Sequence, residues 1–134
     1  MKRFTFVPNF VPRFFYTALM AASVAVAMAG ELPFEQKKFD AAVAAGESVV
    51  VDFSASWCPT CKAQKPVVDK LMALPKYQAV KLFVADYDKE VALKKQLRVV
   101  QQSTFVVFKD GKEVTRSTGQ TDPEVLAAVF DKAL

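Results

Sequence analysis

Cys58 and Cys61 are the only two cysteines of the chain, and they stand in the run Cys58-Pro59-Thr60-Cys61. Two thiols so placed can form a structural disulfide, share a metal ion, or shuttle reversibly between dithiol and disulfide. A bridge closing so short a loop removes little entropy from the unfolded chain, so it is a poor staple. A structural zinc site needs four ligands, and the sequence contains no histidine. Metal binding would therefore require a second chain or an outside thiol. The reversible pair fits best, because the cysteines directly follow an apolar, β-branched run and open a helical pattern.

That position matters for the sulfur chemistry. The attacking group must be a thiolate, whereas an ordinary cysteine has a pKa of roughly 8.5. Unpaired backbone N–H groups and the positive end of the helix dipole favour a negative sulfur at a helix start. Cys58, outside the first turn, is expected to be reachable and to attack; Cys61, one turn in and more sheltered, is expected to resolve the mixed disulfide. Pro59 suits the first helical position and removes one potential donor to the thiolate. Asp52 lies six residues before Cys58, within Val49-Val50-Val51-Asp52-Phe53. Burial there would raise its pKa and make it a proton carrier for Cys61; the competing reading is an acid at a frayed strand end.

The surrounding pattern must hold these groups in place. A helix is expected over Phe34–Val43, with Phe34, Phe39, Ala42 and Val43 on one face, ending at Gly46. Ser48–Phe53 reads as a strand covered on both faces. A second helix should run from Pro59 to Leu74, with Val67, Val68, Leu71 and Met72 inward and a bend at Pro66. Ala79–Asp86 reads as a strand and Glu90–Leu97 as a short helix. Thr104–Phe108 and Glu113–Ser117 flank Asp110-Gly111, a strong hairpin signal. Thr121 or Asp122 should cap a last helix, with Pro123 in its first turn and Val125, Leu126, Val129 and Phe130 against the sheet. This order predicts an α/β domain with a central mixed sheet flanked by helices.

The leading 29 residues differ in composition. They carry Lys2, Arg3 and Arg13, no acid, an uncharged stretch over Phe14–Ala27, and small residues at Ala27 and Ala29. This is the layout of a secretory signal peptide over 1–29, with the globular domain over 30–134. The apolar stretch is short for a span, which needs about 20 residues; an uncleaved N-terminal anchor is the alternative. Either way the domain is expected outside the cytoplasm, in the periplasm, where disulfides persist. Subtracting those three bases from the chain's 18 leaves 15 against 14 acids, so the net charge of +4 falls to +1. The folded part thus has no basic excess for nucleic acid. Lacking histidine, the chain also has no Ser-His-Asp or Cys-His catalytic unit.

The run Val50-Val51-Asp52-Phe53-Ser54-Ala55-Ser56-Trp57-Cys58-Pro59-Thr60-Cys61-Lys62, followed by Pro66, resembles the active-site strand and helix of thioredoxins. The likeness continues through Asp86-Tyr87-Asp88, Ser103–Gly111 and Gly119. It implies a thioredoxin-like fold and thiol–disulfide exchange, with Cys58 as nucleophile, Cys61 as resolver and Asp52 as the buried acid. It also implies a partner-binding rim of Trp57, Pro59, Gln102, Ser103 and Thr104. Trp57 would offer an apolar contact, or else pack the helix start.

Departures from the family pattern carry information too. Ser103 stands where the family usually has a cis-proline. A non-proline cis peptide costs ~3–4 kcal/mol, so a trans Gln102–Ser103 bond is expected. Ser103 also adds an N–H and a hydroxyl beside the sulfurs, which could bind a partner backbone, stabilise a thiolate or leave room for a shared metal. Val84 stands where many thioredoxins carry a lysine, which should leave Asp52 less ready to ionise. The first strand is cut down to Leu32-Pro33-Phe34. Pro59-Thr60 between the cysteines matches neither the reducing Gly-Pro nor the strongly oxidising Pro-His.

These readings predict an exported, monomeric thiol–disulfide oxidoreductase without cofactor or metal, acting on protein disulfides or dithiols. A reductase is favoured over an oxidase, since little in the motif would hold Cys58 as an extremely stable thiolate. A reductase in an oxidising compartment needs a membrane electron-transfer protein as donor. The resemblance to exported thioredoxin-like proteins implies a role in cytochrome c maturation or disulfide repair, without choosing among clients. A partner-capture or metal-handling module is the alternative. Lys62, Lys65 and Lys70 read as a solvated helix face, and Asp86 and Asp88 as strand-end and turn residues.

Overall fold

The computed structural model describes residues 30–134; the expected signal peptide over 1–29 lies outside the described residues. Five strands form one mixed sheet: β1 (Glu31–Pro33), β2 (Val49–Ser54), β3 (Lys81–Asp86), β4 (Thr104–Lys109) and β5 (Lys112–Thr118). Four helices accompany them: α1 (Gln36–Ala44), α2 (Pro59–Met72), α3 (Val91–Leu97) and α4 (Pro123–Phe130). Short 3₁₀ turns follow α2 and α4. The strand order is β1-β3-β2-β4-β5; β3 pairs parallel with β1 and β2, and β4 pairs antiparallel with β2 and β5. This is a thioredoxin fold, with the hairpin at one edge as expected.

The alternation of side chains along β2 divides the core in two. Val49, Val51 and Phe53 point to one face, where Phe39 and Ala42 of α1 and Leu93 of α3 pack against Phe83, Val106 and Phe108. Val50 points to the other, where Val68, Leu71 and Met72 of α2 and Leu126 and Phe130 of α4 meet Leu82, Phe105 and Val107. Asp52 is two residues beyond Val50 and so belongs to the α2 face, opposite Val84 on β3 and Phe105 on β4. Both neighbouring strands are apolar there, so the carboxyl has no polar sheet partner.

Several boundaries differ from expectation for local reasons. Phe34 does not start α1, because its N–H donates to the Val84 carbonyl and extends the ladder of β1; its ring still packs on Phe39 and Phe83. Leu74 is extended (ψ 140) because Pro75 follows it, and α2 ends at Met72. Val80 closes the turn after the 3₁₀ helix, its N–H donating to the Tyr77 carbonyl, so β3 begins at Lys81. In the last helix Asp122, not Thr121, is the cap, accepting from the Glu124 and Val125 N–H groups. Val125 is exposed rather than inward, and Leu126 and Phe130 fill the core. Asp110 and Gly111 both take positive φ (51 and 78), as a two-residue turn between twisted strands requires.

Candidate redox site

The sharp corner between β2 and α2 places the cysteines. Cys58 is the N-cap residue of α2, with extended backbone, and its Sγ accepts the Cys61 N–H at 3.1 Å. Pro59 occupies the first turn, where no N–H is needed. Cys58 and Cys61 are joined as a disulfide with their Cα atoms 5.3 Å apart. The expected contrast in exposure is not found. Cys58 is 1% exposed and Cys61 7% exposed. Both cysteines lie in a small apolar cluster with Ala55 and Tyr87, and Cys61 also lines a cavity beneath the helix. The two sulfurs differ in their neighbours: Cys58 occupies the capping position, and Cys61 borders the cavity that Asp52 also lines.

Ser103 is 3% exposed and faces both sulfurs, its Oγ 3.0 Å from Cys58 Sγ and 3.1 Å from Cys61 Sγ. Neither sulfur of a disulfide carries hydrogen, so the hydroxyl is the donor. The peptide bonds of the described residues are all trans, and Ser103 has a positive φ of 60. Its backbone explains how that conformation is held: the Ser103 N–H donates to Phe53 O at 2.8 Å, and its carbonyl accepts from Gly119 N at 2.9 Å. The N–H is thus turned into the fold and is not offered to the sulfurs or to a partner backbone. Only the hydroxyl addresses the site.

The rest of the expected rim separates into outside and inside. Trp57 is 54% exposed and Pro59 is exposed; Gln102 is half-buried. Thr104 is buried, its hydroxyl engaged with Gln101 O and Thr118 Oγ1, both at 2.8 Å, so it shapes the start of β4 rather than the surface. The indole N–H of Trp57 donates to Asp88 at 2.8 Å, a partnership the sequence did not disclose. Asp86 ends β3 and accepts from the Asp88 and Lys89 N–H groups, a turn role as expected.

Gln64 was also missed. It is 2% exposed, and its side-chain amide donates to Gln120 O at 2.8 Å and Ser103 O at 3.4 Å. It thereby ties α2 to the two loops that carry Ser103 and Gly119. A signal was available: positions 61, 64, 68, 71 and 72 form one helical stripe, and Gln64 is its only polar member.

Asp52 borders a cavity of about 380 Å³ that it shares with Cys61, Glu31, Lys65, Val84 and Asp86. Its Oδ1 is sealed from solvent and has no hydrogen-bond partner. Desolvation, reinforced by the nearby Glu31 charge and partly opposed by Lys65, pushes its pKa up to about 7. The acid is thus poised near neutrality, as a proton carrier must be. Lys65 is not merely part of a solvated face: its Nζ pairs with Glu31 at 3.1 Å and Asp69 at 2.5 Å.

Comparison with known proteins points the same way. The thioredoxin family model matches residues 31–132. The chain belongs to the thioredoxin family. It is 40% identical to a thioredoxin of Chlamydia muridarum over 98 residues, covering 72% of this chain and 92% of that one. A Staphylococcus aureus thioredoxin is 36% identical over 96 residues, with coverage of 72% and 90%. Among solved structures, Trxlp of Edwardsiella tarda superposes with a TM-score of 0.73 at 37% identity, covering 75% of this chain and 98% of that one. The Malassezia sympodialis thioredoxin Mala s 13 gives 0.69 at 27% identity, with coverage of 77% and 92%. This thioredoxin-family protein is a thiol–disulfide oxidoreductase whose redox pair is Cys58 and Cys61.

Proposed function

We propose that the protein reduces disulfides of protein clients outside the cytoplasm and is recharged by a membrane electron-transfer protein. The observation that carries the reductase direction is the modest support around the Cys58 sulfur: one backbone N–H, from Cys61, and one hydroxyl, from Ser103. Strong oxidants owe their potential to a very stable reduced thiolate. Here Pro59 withholds a further N–H, and the chain has no histidine to add charge. The export reading is supported by the charged, apolar and small-residue layout of residues 1–29, and by a family match that begins at residue 31.

The exchange follows from the geometry. Cys58 thiolate attacks one sulfur of a client disulfide, forming a mixed disulfide and expelling a client thiolate that takes a proton from water. Cys61 passes its thiol proton to ionised Asp52 across the shared cavity. The Cys61 thiolate attacks Cys58 Sγ, the second client sulfur leaves as thiolate, and the Cys58–Cys61 disulfide remains. Two electrons pass to the client. Trp57, Pro59 and Gln102 supply the exposed contacts around the entry point. The recharging partner donates a dithiol and leaves oxidised.

Equilibration of the mature domain against glutathione tests this reading. A reversible two-electron couple near the ~−270 mV of thioredoxin, with turnover of insulin disulfides, supports it. A potential well above that value makes the protein an oxidase. Thiols that do not exchange but retain zinc or iron make it a binding module. Cys58→Ser should abolish turnover, and Cys61→Ser should accumulate mixed disulfides with clients.

A further inference from the structure

The family's usual lysine is absent at Val84, yet the cavity around Asp52 is not without a cation. Lys65 of α2 stands at its rim, paired with Glu31 of β1 at 3.1 Å. The sheet explains why Glu31 comes there. Glu31 is in register with Leu82, whose side chain belongs to the α2 face, and β1 and β2 flank β3 on either side. Glu31 thus shares the face occupied by Asp52, with β3 between them. The Asp52 Oδ1 beneath is sealed and has no hydrogen-bond partner of its own.

We propose that Glu31 and Lys65 are positioning residues for the resolving step: on top of the effect of burial, this pair tunes the pH range over which Asp52 can take the proton of Cys61. The inference rests on the exchange reading above. The other groups facing Asp52 leave the task to this pair. Val84 on β3 and Phe105 on β4 are uncharged. Ser54 of β2 is neutral. Lys62 of α2 and Asp86 of β3 line the same cavity with opposite charges, and Asp86 is occupied by the Asp88 and Lys89 N–H groups. Lys65 is itself divided between Glu31 and Asp69, which weakens the cation's hold on the carboxyl. Burial raises the Asp52 pKa most; of the two charges the anion of the short first strand outweighs the cation, so Asp52 keeps its proton to higher pH than it would beside a lone lysine.

The test is titration of the Asp52 carboxyl by carbon-detected NMR in the intact mature domain, alongside the pH profile of insulin reduction. Glu31→Gln should move the Asp52 midpoint down and Lys65→Gln should move it up. Each displacement should be about half a pH unit or more, roughly threefold in the proton-binding constant. The acid limb of turnover should follow in the same sense, and Lys65→Arg should restore the original midpoint. Both side chains lie on the surface, so circular dichroism should show an unchanged fold. Midpoints that stay fixed in both variants overturn the proposal, even if the protein turns over normally. Absent turnover with midpoints that move as stated would instead overturn the reductase reading and leave the charge pair standing.

Discussion

The Ser103 hydroxyl lies 3.0 Å from Cys58 Sγ, at the place where the family usually presents a proline ring. A hydrogen-bond donor there acts on the charge of the sulfur, which a proline cannot. Hydrogen bonds to charged groups contribute about 1.5–3 kcal/mol. Ser103→Ala removes the hydroxyl and leaves the backbone bonds intact. Iodoacetamide alkylation of the reduced protein should then show the Cys58 ionisation midpoint rising by about one pH unit. An unchanged midpoint would reduce Ser103 to a packing residue.

Ser103→Pro, the residue usual in the family, should not be neutral here. Proline requires φ near −65° and has no N–H, whereas Ser103 sits at φ 60 and donates to Phe53 O. The loop must therefore rebuild, and urea unfolding should show a loss of about 2–3 kcal/mol. Stability equal to wild type would mean that the loop changes its backbone at little cost.

Asp52 makes stability fall with rising pH. Its folded pKa of about 7 lies above the ordinary 3.8, so between these values the native state holds a proton that the unfolded chain has released. Its contribution is most favourable below about pH 4, declines through the interval and is wholly lost above about 7. Asp52→Asn should flatten this dependence and raise the unfolding temperature at pH 8 relative to wild type, while slowing disulfide turnover. Thermal unfolding at pH 5 and pH 8 gives the comparison.

Gln64 holds carbonyls of two loops at once, Gln120 O and Ser103 O. Gln64→Ala should remove the tie to Gln120 O and the second donor to Ser103 O, and destabilise the domain by about 1–3 kcal/mol. Because the Ser103 loop loosens with it, the Cys58 alkylation midpoint should also move. Denaturant unfolding with unchanged stability would contradict the assigned tie.

Trp57 is the only tryptophan, so its emission reports on one bond. Asp88→Ala removes the acceptor of the indole N–H. Faster decay of fluorescence anisotropy is expected, with a stability change below about 1 kcal/mol because the contact is exposed.

Much of the fold was legible because local signals agreed. Val49-Val50-Val51 before Cys58 announced a buried strand, Asp110-Gly111 a hairpin, and Asp122-Pro123 a helix start; each depends on one residue type meeting one backbone need. Cys58 and Cys61 were legible for the same reason: their separation and their place at a helix opening define the chemistry. Val125 and Phe34 were misread because a helical face or a strand extension is decided by neighbours across the sheet.

The sequence by itself determined the redox pair, the acid two residues beyond Val50 on the same strand face, and the absence of imidazole chemistry. Only the tertiary structure decided which groups surround them. Ser103, placed beside the sulfurs by the family resemblance, turns only its hydroxyl to them; Gln64 joins three segments, and Glu31 with Lys65 borders Asp52 from strand and helix. These partners lie dozens of residues apart in most cases, and no local pattern fixes their approach. The physical reason is that proton affinity and thiolate stability depend on charges and dipoles within a few ångströms, and such neighbours exist only once the sheet has formed.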